Sequence, residues 1–220
     1  MSAGVRASRR GFSLIELMVV IIIVGIVSAL AIPSMLAART DRHAYDDAGQ
    51  IMQLFREART RAVARGGAVM IAFTAGAGDV GTFSMYEAVT ATTANGAAAG
   101  PPVASCKTAV WTNATAVPAN VPNLVFVDGL NLNGQVEAQY GIQTQVSVYA
   151  LSGNTNPAGG FICFTPLGRT YFNAAQPVFT GAASLPLVDP IEFRVTRAAG
   201  GTIRSVLLPP NGMARVFSHV

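Results

Sequence analysis

From Phe12 to Ile32 the chain is apolar except for Glu16, and beyond Pro33 apolar residues recur at steps of three or four. At about 1.5 Å per residue, the first run makes a helix long enough to span the hydrocarbon of a bilayer. The second pattern places Tyr45, Ala48, Met52, Phe55, Ala58 and Ala62 on one face, with Ile51 and Leu54 beside them and most of the arginines elsewhere. That is an amphipathic continuation, ended by Gly66-Gly67 as glycine ends a helix after a basic last turn. Pro33 lacks a backbone donor, so it either bends the helix where it leaves the apolar zone or terminates it. Unbroken, residues 12–65 would form a helix of roughly 80 Å, too long to pack fully on a domain of this size. Its first half therefore needs lipid or sister helices around it.

After Gly67 the period changes. Short runs rich in β-branched and aromatic residues, separated by Gly, Pro and Asn, predict strands at 68–74, 82–89, 107–111, 124–127, 145–151, 161–165, 191–196, 203–208 and 214–217. The fold class is therefore α+β, with a long N-terminal helix packed by its amphipathic half on an antiparallel, sandwich-like domain. Residues 91–102, rich in Ala, Thr, Gly and Pro, read as a mobile surface loop. Gly76-Ala77-Gly78-Asp79-Val80-Gly81 fits a dinucleotide fingerprint, yet a second strand and no helix follows it, so a glycine hairpin is expected.

Composition narrows the function. The 220 residues are 51% hydrophobic and 12% charged, which excludes a disordered chain. Of 15 Lys and Arg, three precede Gly11 and six lie in residues 34–65, while the six beyond are balanced by six acids. A globally basic nucleic-acid binder is not indicated. Cys106, Cys163, His43 and His219 are too few and scattered for a metal centre, and neither histidine has a sequence partner for nucleophilic catalysis. The expectation is a protein with no cofactor and no enzymatic activity.

Arg6, Arg9 and Arg10 flank the apolar run on its N-terminal side, so the start should stay cytoplasmic and the bulk should cross. A cleaved secretory signal is one reading, because Ala29-Leu30-Ala31 has the small-x-small pattern that precedes cleavage. A plain membrane anchor is another. Neither gives a use to Glu16, a carboxylate whose insertion costs up to a few kcal/mol (about 3) at full depth. Once outside the cytoplasm, Cys106 and Cys163 would meet an oxidising compartment, where they either pair or remain two buried thiols.

The stretch Arg9-Arg10-Gly11-Phe12-Ser13-Leu14-Ile15-Glu16-Leu17 resembles the class III signal of type IV prepilins and pseudopilins. Leu54-Phe55-Arg56-Glu57-Ala58-Arg59-Thr60-Arg61-Ala62-Val63 with the strand after it, Phe164-Thr165-Pro166-Leu167-Gly168-Arg169, and Arg204 to Leu208 with Asn211-Gly212 resemble the helix end, the F-x-P-x-G element and the closing hairpin of GspH/FimT minor pseudopilins. The resemblance implies a pilin-like fold, cleavage between Gly11 and Phe12 by a prepilin peptidase, and N-methylation of Phe12. It further implies a leader at 1–11, a membrane and assembly helix at 12–33, an amphipathic helix at 34–66 and a periplasmic β domain at 67–220. Partners would be other minor and major pilins or pseudopilins, an inner-membrane assembly platform and inner-membrane lipid. Phe12 and Glu16 would carry assembly, because an amine on one subunit offsets the Glu16 carboxylate of its neighbour in an apolar setting.

Two machines fit that resemblance, a type IV pilus and a type II secretion pseudopilus. Some pilus members resemble DNA receptors that end in a G-R-x-R motif, whereas this chain reads Gly212-Met213-Ala214-Arg215. Arg194, Arg197, Arg204 and Arg215 nevertheless fall in a window without acids, and they form either a DNA-contacting row or a solvated strand face.

Overall fold

The computed structural model describes residues 12–74, 81–90, 100–107, 123–132, 144–150, 157, 159–174, 179, 186–197 and 202–218. One helix, α1 (Leu14–Arg65), is followed by nine strands: β1 (Val69–Thr74), β2 (Thr82–Val89), β3 (Asn123–Asn131), β4 (Thr144–Ala150), β5 (Gly159–Phe164), β6 (Thr170–Asn173), β7 (Ile191–Arg197), β8 (Arg204–Leu208) and β9 (Arg215–Ser218). The chain divides into two compact units, one up to Arg39 and one from Thr40 onward. Helical backbone runs through Pro33, so the proline does not end α1. The Ser34 hydroxyl donates to the Ala31 carbonyl at 2.8 Å in that turn.

In the unit from Thr40, the strands form two antiparallel sheets, ordered β3-β2-β1-β5-β6 and β4-β7-β8-β9. Ala48, Ile51, Leu54, Phe55, Ala58 and Ala62 are buried along one face of α1, as their spacing predicts. Phe55 joins the layers: its ring lies 6.1 Å from Phe83 and 6.4 Å from Phe164 of the first sheet, and 5.0 Å from Phe193 of the second. A smaller cluster, containing Met70, Ala88, Cys106, Cys163, Tyr171 and Phe179, covers the other face of the first sheet. Cys106 and Cys163 are joined by a disulfide, with both residues fully buried.

Gly66 takes a φ of 66° and caps α1, a conformation without penalty for glycine. Gly67 matters for space: a Cβ there would sit 2.6 Å from Cβ of Pro102. The tight contact belongs to a segment docked beside β2, where Val89 pairs with Pro102, Ala68 N–H donates to the Val103 carbonyl at 2.6 Å, and Val103 N–H donates to Ala88 at 2.9 Å. The end of the expected surface loop is thus pinned, and Thr90 N–H also donates to the Pro101 carbonyl at 3.0 Å. Residues 91–99 lie outside the described ones.

Most strand expectations hold within a residue or two. Among the rest, Lys107 lies in a turn, and residues 108–111 fall outside the described ones. The additional strand β6, Thr-Tyr-Phe-Asn, is short and follows a glycine turn, so it offers little alternation to read. Residues 75–80 of the glycine fingerprint are not described, but β1 and β2 on either side pair antiparallel, from Val69 opposite Glu87 to Thr74 opposite Thr82. A dinucleotide site needs a helix there.

Candidate assembly site at the N-terminal helix

The helix begins after Ser13. Its carbonyl accepts from Glu16 N–H at 3.1 Å and Leu17 N–H at 3.2 Å, which places Glu16 in the first turn. Ser13-Leu14-Ile15-Glu16 also has the S-x-x-E spacing of a capping box, a local signal of the helix start that the hydrophobic pattern alone misses. No side-chain bond closes that box among the described residues, and the Glu16 carboxylate is exposed.

Around it the helix is bare. Residues Leu14–Ile32 form a stretch of 19 with mean hydropathy 2.9, none of it buried within the protein. Phe12 is 78% exposed, and Leu14, Ile15 and the isoleucines at 21–23 are likewise uncovered. Such a surface is stable in lipid or against other apolar helices and costly in water. A carboxylate on the same segment is expensive in either apolar setting unless a positive group faces it. Gly25 has nothing within 4 Å of where a Cβ would sit, which leaves room for close helix approach.

A family model for the prokaryotic N-terminal methylation motif matches residues 6–32. The N-terminus carries a prepilin-type signal. The match covers the basic residues, Gly11, Phe12 and the exposed apolar helix, and it stops short of Pro33. No curated protein and no solved structure matches the chain. The match includes Glu16, the one charge of the apolar run. The chain is thus of the type IV pilin or pseudopilin kind in its processing, and the exposed helix is consistent with membrane anchoring and pilus assembly. Gly11 itself lies outside the described residues, while Phe12 is described and exposed.

The arginine row near the C-terminus is rearranged by the fold. Arg204 stands opposite Val195, and Arg194 opposite Ser205, so alternation puts Arg204 on the α1-facing side with Val206 and Leu208 and puts Arg194 on the reverse. Arg215, opposite Leu207, lies on the same side as Arg194. The Arg204 guanidinium donates from Nη2 to both carboxylate oxygens of Asp41 at 2.9 Å and from Nη1 to Ser218 Oγ at 2.6 Å, and it lies 5.7 Å from the Tyr45 ring centroid. Arg194 donates from Nε and Nη2 to the two oxygens of Glu192 at 3.0 Å each. Three of the four expected DNA contacts therefore do not share a face, and two are neutralised; the Arg197 side chain lies outside the described ones. The counter-charges of Arg204 and Arg194 lie outside the acid-free window, on α1 and two residues before Arg194.

A second ionic contact fixes the end of α1. Glu87, buried on β2, accepts from Arg61 Nε at 3.3 Å and from Arg65 Nε. His43 lies on α1, and no cluster of His, Cys, Asp or Glu suited to a metal occurs among the described residues. His219 is not among them.

Proposed function

We propose that this chain is a minor pilin or pseudopilin of the GspH/FimT kind, a structural subunit that primes or caps a type IV pilus or a type II secretion pseudopilus. The observation that carries the reading is a methylation motif whose match takes in a bare apolar helix with an exposed carboxylate, Glu16, in its first turn. In this reading residues 1–11 are a leader, and a prepilin peptidase cuts between Gly11 and Phe12 and methylates the new amine. Residues 12–33 anchor in the inner membrane and later pack in the filament, residues 34–66 connect them to the domain, and 67–220 lie in the periplasm. The Phe12 amine of one subunit would face Glu16 of another, offsetting the burial of both charges and setting the stagger of the stack. Other pilins and an inner-membrane platform are the partners. The DNA-receptor alternative loses two of its four guanidiniums to carboxylates inside the fold.

The test is the N-terminal peptide of protein recovered from its native membrane. The expected product begins at N-methylated Phe12, and Glu16→Ala is processed normally but not incorporated into filaments. A product beginning at Ile32 would instead make it a secreted soluble protein and remove the assembly role of Phe12 and Glu16.

A further inference from the structure

The arginines of the folded domain fall into two sets. Arg61 and Arg65 share Glu87, Arg194 holds Glu192, and Arg204 holds Asp41. Arg56, Arg59 and Arg169, like Arg42 and Arg215 elsewhere in the domain, have no carboxylate partner among the described residues. The first three belong to two turns packed against each other and to the stretch of α1 beside them.

The first turn connects β5 to β6. Thr165 N–H donates to the Arg169 carbonyl at 2.9 Å, Gly168 N–H donates to the Thr165 carbonyl at 3.0 Å, and Arg169 N–H donates to Thr165 Oγ1 at 3.1 Å. Gly168 has a φ of 76°, and a Cβ on it would lie 3.6 Å from Nη2 of Arg59. In the second turn, Gly212 N–H donates to the Pro209 carbonyl at 2.8 Å and Met213 N–H donates to Asn211 Oδ1 at 3.1 Å. A Cβ on Gly212 would lie 3.0 Å from Cε1 of Phe164 and 3.0 Å from Oγ1 of Thr170, which places the second turn directly on the first. Arg56 Nε donates to the Ala214 carbonyl at 3.2 Å, tying the same stretch of helix to that second turn.

Nε of Arg59 is buried and has no hydrogen-bond partner, an uncompensated donor of a permanently charged group. Oγ1 of Thr170 beneath the turns is likewise unpartnered. Apolar side chains flank the charge: Leu167 at the apex of the first turn is 89% exposed and Met213 on the second 48%. Glu57, the acid beside Arg56 on α1, is exposed and bonded to none of the three.

We propose that this two-turn end of the domain docks an acidic, partly apolar segment of a partner protein, with a carboxylate seated at Arg59 and Arg169 and an apolar side chain against Leu167 and Met213. Guanidinium forks match carboxylates in geometry, and both turns are held by their own hydrogen bonds before any partner arrives, which lowers the ordering cost of docking. A nucleic-acid strand fits less well. Its bases need exposed aromatic platforms, and the nearby ring, Phe164, is buried.

The experiment uses the full chain in nonionic detergent and fluorescence anisotropy. The probes are a labelled peptide of alternating Asp and Leu, its Asn-for-Asp counterpart, and labelled oligothymidine. The acidic peptide should bind with an affinity that falls as salt rises, and the Asn counterpart should bind at least about tenfold more weakly, a difference of about 1.4 kcal/mol. Arg169→Gln, at an exposed turn position that leaves the core alone, and Arg59→Met, which keeps an unbranched apolar stem, should each weaken the acidic peptide by about tenfold. Arg42→Gln, on an exposed part of α1, should not.

Equal binding of the two peptides would overturn the proposal, as would an unchanged affinity in Arg169→Gln. Oligothymidine binding that Arg169→Gln abolishes, without acidic-peptide binding, would make this a nucleic-acid surface instead. The acidic-peptide affinity does not depend on where the mature chain begins, so this result and the N-terminal mass fail independently.

Discussion

Replacing Phe55 by alanine should remove the contact at which helix and both sheets meet. The residue is fully buried, and its ring approaches Phe83, Phe164 and Phe193 at 6.1, 6.4 and 5.0 Å. Truncating a buried phenylalanine to alanine and leaving a cavity in its place costs about 3–5 kcal/mol, with the upper part applying where neighbours cannot collapse. Here the neighbours belong to three separate elements, each held by its own hydrogen bonds, so about 4 kcal/mol is expected. Phe55→Leu keeps much of the volume but loses the ring pairs, and should cost about 1–1.5 kcal/mol. Val63→Ala, on the exposed side of the same helix, should stay within about 0.5 kcal/mol. Urea unfolding of the full chain in nonionic detergent, followed by intrinsic fluorescence, separates these cases. With a slope of about 2 kcal/mol/M, the midpoints should fall by about 2 M, 0.6 M and less than 0.3 M respectively. A Phe55→Ala midpoint within about 0.5 M of the parent would refute the idea that this residue couples the layers.

Other perturbations separate the remaining contacts. Glu87→Gln removes the charge that two guanidiniums share; because both arginines are partly solvated, a loss of about 1–2 kcal/mol is expected, smaller at high salt, and a salt-independent loss would speak against an ionic cause. Replacing Cys106 and Cys163 together by serine opens a bridge across 57 residues and should cost about 4 kcal/mol in the chain-entropy account, read as a lowered thermal midpoint. Gly67→Ala forces a Cβ into Pro102 and should cost about 1–3 kcal/mol while increasing protease sensitivity around residues 100–107; no change in either would show that the segment yields freely.

Residues whose roles depend on near neighbours were readable from sequence. The apolar run, the spacing of Ala48, Ile51, Phe55, Ala58 and Ala62, and the glycine that caps α1 all express short-range rules, and the structure places them accordingly. The strand β6 was hidden, because four residues between two turns carry too little alternation. The pairing of the arginine row was hidden for a different reason. Alternation along β7 and β8 sends Arg194 and Arg204 to opposite sides, and the partner of Arg204, Asp41, is 163 residues away in sequence. Likewise nothing in the order of residues places Arg59 beside Gly168, since that proximity is created by two sheets closing on one helix. The start of the helix held a local signal, Ser13 to Glu16, that hydrophobic periodicity overlooks.

The bond between Cys106 and Cys163 also changes what a cut in the chain can do. Cleavage at any single peptide bond between those two cysteines leaves the N-terminal piece, with α1 and the first two strands, covalently joined to the C-terminal piece that carries β6 to β9. A nicked molecule would therefore run as one species without reductant and as two with it. Damage in that stretch would not by itself release the C-terminal strands from α1.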